Sequence, residues 1–148
     1  MVGGRPVNWV TFARYLGIFL ESSFTFKCSF ASNKAKFYKA FNNIFGKIGR
    51  IASEEVIFTL IKSKCLSILL YGTEPCPVNS AVSHSLQFAL NRALFKIVGP
   101  LSEDTYKDIC NYFGIWPMEQ QIAARQNKFQ LRYCASDSAV CCAISKLS

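Results

Sequence analysis

Four cations, Lys36, Lys39, Lys47 and Arg50, recur at steps of three, eight and three residues. On a helix those steps return to one side of the rod, so the charges form a line. A phosphate backbone also presents its charge as a line, and a matching row of cations is the chemistry that would hold it. No acid occurs between Glu21 and Glu54, whereas ordinary surface helices mix both signs. The stripe therefore reads as a nucleic-acid-facing edge, against the blander reading of a solvated helix face. Arg125, Lys128 and Arg132 form a shorter set for which the two readings stand level.

Within the first stripe lies Gly46-Lys47-Ile48-Gly49, two glycines three apart around a lysine, which resembles the GXXG loop by which KH domains clamp single strands. Each glycine inside a helix costs about 1 kcal/mol relative to alanine, which favours a break there. Against a loop, the apolar period continues unbroken from Phe37 to Ile51, and the strands that should follow are lacking.

Other candidates for chemistry are sparse. His84 has no nucleophile and carboxylate at a spacing that would make a catalytic set, and reads as a surface or boundary residue. Glu54-Glu55 and Glu103-Asp104 fall in first helical turns, where the helix dipole already accounts for acids. Cys28, Cys65, Cys76, Cys110, Cys134, Cys141 and Cys142 are odd in number and mostly at apolar positions, so they read as packed or free thiols rather than a disulfide framework or zinc site. No catalytic residue, metal ligand or cofactor site is assigned. Most aromatics fall at core periodicity, leaving Trp9 and Tyr15 as candidates to stack on bases.

The elements that must position these residues follow from periodicity. Residues 9–28 alternate as a β-hairpin, with Val10, Phe12, Leu16, Ile18 and Leu20 on one face, Arg14 as the exception, and an interruption at Ser22-Ser23. From Asn33 the period becomes helical, with Phe37, Phe41, Ile44, Phe45, Ile48 and Ile51 opposite the basic stripe. Ser53 caps a helix that runs to Tyr71 and is stopped by Gly72. Asn79 or Ser80 caps another through Val98, Ser102 caps a short one to Phe113, and Pro117 opens a fourth. Ala139 to Leu147 adds a last short helix.

With 148 residues and half of them hydrophobic, the chain has enough apolar surface for a core. Charge is uneven: residues 1–50 hold eight Lys/Arg against one acid, net +7, and residues 51–148 hold nine against eight, net +1. An anionic partner belongs on the first part. The longest apolar stretch, Cys65 to Tyr71, is far shorter than a membrane span. The cysteine usage fits a reducing compartment, so the expectation is an intracellular protein, cytoplasmic or nuclear, with no membrane and no small-molecule substrate.

Two short motifs carry a resemblance. Tyr15-Leu16-Gly17-Ile18, followed about fifty residues later by Leu69-Leu70-Tyr71-Gly72-Thr73-Glu74, is similar to the segment after the catalytic palm in reverse transcriptases of non-LTR (LINE-type) retrotransposons. The resemblance covers about residues 7–115. It implies that residues 1–28 are a primer-grip-like hairpin at the end of the palm, with Tyr15, Leu16, Gly17 and Ile18 at the primer terminus. Residues 29–148 would be a helical thumb-like and post-thumb region, with Lys36, Lys39, Lys47 and Arg50 facing an RNA or RNA–DNA duplex. The implied fold is mainly α, an N-terminal β-hairpin before a bundle of about five helices. Asp104, Asp108 and Asp137 are the only aspartates and none adjoins another, so the family's metal-binding dyad has no counterpart. The implied role is backbone binding without polymerisation, with palm and fingers as missing partners. Two alternatives stand beside it: a helical interaction module or inactive transposon remnant, and the KH-like single-strand binder.

Overall fold

A computed structural model describes Gly4 and residues 6–145. It is mainly helical, with a small antiparallel sheet at the N-terminal end. The sheet has three strands in the order β1 (Phe12–Tyr15), β2 (Ile18–Glu21), β3 (Lys27–Ser29). The expected hairpin is therefore a three-stranded meander, and its first turn is not at Ser22-Ser23. Tyr15 pairs with Ile18, which leaves Leu16-Gly17 as a two-residue turn. Both turn residues have positive φ, 48° and 83°, as a type I′ turn requires.

That turn corrects the expected facing. A two-residue loop pairs even positions with odd ones, Phe12 with Glu21 and Ala13 with Leu20, so Phe12 lies on the opposite face from Ile18 and Leu20. Ala13, Leu20 and Cys28 line up across the inward face, where Cys28 is buried and Leu20 packs on the core. Phe12, Arg14 and Phe19 occupy the outward face, with the Arg14 guanidinium 5.9 Å from the Phe19 ring centre.

Helix α1 (Ala31–Ile48) buries Phe37 and Phe41 and half-buries Ile44, Phe45 and Ile48, as its period demands. Ile51 falls beyond its end and is 87% exposed, so it leaves the predicted face. The next rod is built from α2 (Glu54–Leu60), a π-helical turn (Ile61–Cys65) and α3 (Leu66–Leu69). The wider turn adds a residue to the rod while Ile57, Phe58, Ile61, Cys65, Leu66 and Leu69 all remain buried. Burial also raises the Cys65 thiol's pKa.

Helix α4 (Ser80–Val98) begins with the Asn79 side chain accepting from the Val82 N–H at 2.9 Å and buries Leu86, Leu90 and Leu94. Helix α5 (Glu103–Tyr112) begins with Ser102 accepting from the Thr105 N–H at 3.3 Å. Both caps lie where Asn and Ser were expected to satisfy orphan donors. Helix α6 (Met118–Cys134) starts one residue after Pro117, and α7 (Ala139–Ser145) follows. The remainder of the last predicted helix lies outside the described residues. Cys28 on β3 and Cys76 in the loop before α4 meet with sulfurs 2.7 Å apart. Burial and the neighbouring thiol raise the Cys76 pKa to about 12.

No helix among the described residues is long and apolar enough to cross a membrane. Among them, no group of three or more His, Cys, Asp or Glu could hold a metal.

Candidate nucleic-acid interface

Lys36, Lys39 and Lys47 are all exposed on α1. At 100° per residue they fall within an arc of about 80°, and Lys36 and Lys47 stand about 17 Å apart along the axis. Exposed Asn43 continues the same line between Lys39 and Lys47. Arg50 is also exposed but lies in the turn after α1, closed by Ala52 N–H donating to the Ile48 carbonyl, so helical phase does not fix its direction. No ion pair involves any of the four among the described residues, where the pairs are Lys107 with Glu103 and Arg125 with Glu74. The stripe is thus three lysines in register, with Arg50 at its end.

Only one member of the second basic set is paired with an acid. Arg125 donates to Glu74 at 3.0 Å, tying α6 to the segment after Gly72, while Lys128 and Arg132 remain exposed. Gln126 reinforces that tie, donating to the Thr73 carbonyl at 3.0 Å and the Cys76 carbonyl at 3.3 Å.

Gly46-Lys47-Ile48-Gly49 forms no loop, as the unbroken apolar period implied and against the glycine cost. Gly46, Lys47 and Ile48 are the last turn of α1, and Gly49 keeps right-handed helical angles with its N–H donating to the Phe45 carbonyl at 2.8 Å. The apolar contacts of Phe41, Phe45 and Ile48 outweigh the glycine cost of about 1 kcal/mol each. No GXXG loop is therefore presented.

The two motifs are packed together, and the packing is reciprocal. The Tyr71 hydroxyl donates to the Leu16 carbonyl at 2.7 Å, and its ring covers Gly17, where a Cβ would stand 3.4 Å from Cε1. In return, Ile18 covers Gly72, where a Cβ would meet Cγ1 and Cδ1 at 3.0 Å. Gly72 has φ 79°, so it also needs the freedom of a residue without Cβ. Each motif supplies a glycine that the other's bulky side chain occupies. Tyr15-Leu16-Gly17-Ile18 is consequently a strand end, a turn and a strand start rather than one strand. Tyr15 and Leu16 stay exposed, whereas Gly17 and Ile18 are partly covered.

Asn33, absent from the predicted site, organises this junction. It is buried, and its amide donates to the Tyr71 carbonyl at 2.7 Å and the Leu69 carbonyl at 3.4 Å, satisfying the open end of α3. A polar residue in phase with Phe37 and Phe41 was the available signal. Gly17, Asn33, Lys36, Ser67, Ile68 and Tyr71 line a depression of about 510 Å³. It joins the sheet's turn to the first lysine of the stripe, while Lys47 and Arg50 lie at the far end of α1.

No protein-family model, curated protein or solved structure matches this chain. Shape and charge therefore carry the functional argument. The arrangement offers an edge of lysines without carboxylate partners beginning beside an exposed turn with Tyr15 and Leu16. His84 is exposed and stands apart from this edge on α4.

Proposed function

We propose that this chain binds the sugar-phosphate backbone of an RNA or RNA–DNA duplex along α1, in the manner of the primer grip and thumb of a LINE-type reverse transcriptase, without polymerising. Supporting this reading above all, the unneutralised lysines begin at Lys36, which shares a depression with the Gly17 turn. A strand lying along Lys36, Lys39 and Lys47 would end at that turn, with Arg50 extending the contact at the other end. Such contacts fix position and carry no sequence information. Binding is therefore expected to be indifferent to base sequence and steeply weakened by salt.

The test replaces Lys36, Lys39, Lys47 and Arg50 with Gln and measures affinity for an RNA–DNA hybrid across a salt series. The expected result is a log–log salt dependence shallower by about three to four units, near one per removed contact. No duplex binding by the parent chain, or an unchanged slope in the variant, overturns the reading.

A second reading, a protein-interaction module, draws on a different observation. Trp9 is 98% exposed, and Phe12, Phe24 and Phe26 are also exposed around the sheet. Apolar surface of this kind suits contact with another protein mass, such as the palm and fingers the resemblance implies. On this reading the Gln substitutions leave all measured binding unchanged.

A further inference from the structure

A second concavity, unrelated to the lysine stripe, lies between α4, α5 and the turn into α6. It encloses about 520 Å³, within the roughly 300–1,000 Å³ of small-molecule sites. Tyr106, Ile115, Trp116 and Met118 give it apolar walls, and Trp116, 61% exposed, stands at the rim.

Its polar groups have an orientation that can be deduced. The backbone N–H of Met118 can only donate, and it donates to Gln87 Oε1 at 2.7 Å. Gln87 must therefore turn its Nε2 to Asn91, whose Oδ1 accepts it at 2.6 Å. The same Oδ1 accepts the Tyr106 hydroxyl at 2.6 Å. Asn91 is thus held with its oxygen doubly engaged and its Nδ2 donors without an acceptor among the described residues. Two turns earlier on α4, Ser83 also lines the cavity; it is buried and its hydroxyl has no partner among the described residues. An amide held by two bonds on its oxygen, with its Nδ2 open to solvent, presents two donors suited to a carbonyl oxygen.

The charged groups lining the cavity are Lys107, engaged by Glu103 at 2.9 Å, and Glu119, beside the titratable His84, Tyr106 and Cys110. They offer no concentration of either sign, so the fitting ligand is uncharged. We propose that this cavity binds a single nucleobase bearing an exocyclic carbonyl, its oxygen on Asn91 Nδ2 and its ring against Trp116. A flat indole at the rim favours a planar ring, because stacking is tolerant of which ring it meets. The proposal does not rest on the duplex reading, since a free nucleoside has no phosphate for the lysines to hold.

The test titrates the full chain with uridine, cytidine, guanosine and adenosine while following the Asn91 side-chain amide and Trp116 indole signals by NMR. The expected result is saturable shifts at both groups with the three carbonyl-bearing nucleosides, insensitive to salt and retained when the four stripe cations are Gln. Asn91→Asp keeps an oxygen for Gln87 and Tyr106 and removes the donors, and is expected to weaken binding about tenfold. Trp116→Ala, at an exposed site, gives a second loss of affinity should the Asp variant fail to fold. No saturable shift with any nucleoside, or unchanged affinity in a folded Asn91→Asp variant, overturns the proposal. Saturable shifts with N-acetyltryptophanamide alone would also overturn it, assigning the cavity to a protein partner.

Discussion

The helical region and the sheet are built from the same kinds of residue and treat them oppositely. Phe37, Phe41 and Phe58 are almost wholly buried among α1, α2 and α4, while Phe12, Phe24 and Phe26 around the sheet stay in solvent. The apolar stripes of α1, α2 and α4 face one another, so these three aromatics are covered, although the helical region also leaves Phe88 and Leu131 exposed. The three short strands have a partner on one face only, and the other carries Phe12 and Phe19 with Arg14. Aromatic content alone therefore says little about where a core lies. What decides is whether an element meets a second layer.

The largest expected effect tests that contrast directly. Phe37→Ala leaves a void in a closed core and should cost about 3–5 kcal/mol by urea denaturation, whereas Phe24→Ala should stay within about 0.5 kcal/mol. Equal costs would erase the difference between the two regions. Next in size are the glycines where sheet and helices join. Gly72→Ala adds a methyl 3.0 Å from Ile18 at φ 79° and is expected to cost about 2 kcal/mol. Gly17→Ala has similar backbone strain but meets Tyr71 at an ordinary 3.4 Å, so about 1 kcal/mol is expected. The reverse order would place the tighter packing on the turn. Smallest is Tyr71→Phe, which removes only the bond to Leu16 and should cost about 0.5–1 kcal/mol. Its signature is faster amide exchange at residues 15–18 with the α4 core unchanged, which would sharpen the boundary between the regions.

Much of the helical architecture was legible because its signals are local. The Phe37, Phe41 period and the Asn79 and Ser102 caps depend on neighbours within a turn or two. The sheet was harder because its first turn places Leu16 at φ 48°, a conformation that leucine seldom adopts. Without that clue, alternation reads straight through residues 15–18 and assigns Phe12 to the wrong face. The π turn at Ile61–Cys65 has no sequence mark, since its residues would suit an α-helix equally well. At the candidate site the lysine line was readable from spacing. The pairing of Arg125 with Glu74 was not, because it depends on two segments 51 residues apart.

The exchange of glycines between turn and helix end carries a consequence for how this chain can vary. A Cβ at position 72 meets Ile18 at 3.0 Å, so growth there needs Ile18 to move or shrink. A methyl at 17 meets Tyr71 at an ordinary 3.4 Å, and only side chains beyond it need room from the ring. Permitted substitutions at these four places are thus conditional on one another, and tolerance measured at any one of them singly will be narrower than the tolerance of the set. Scored position by position, the two motifs are ordinary; considered as lock and key, they form a single packing unit.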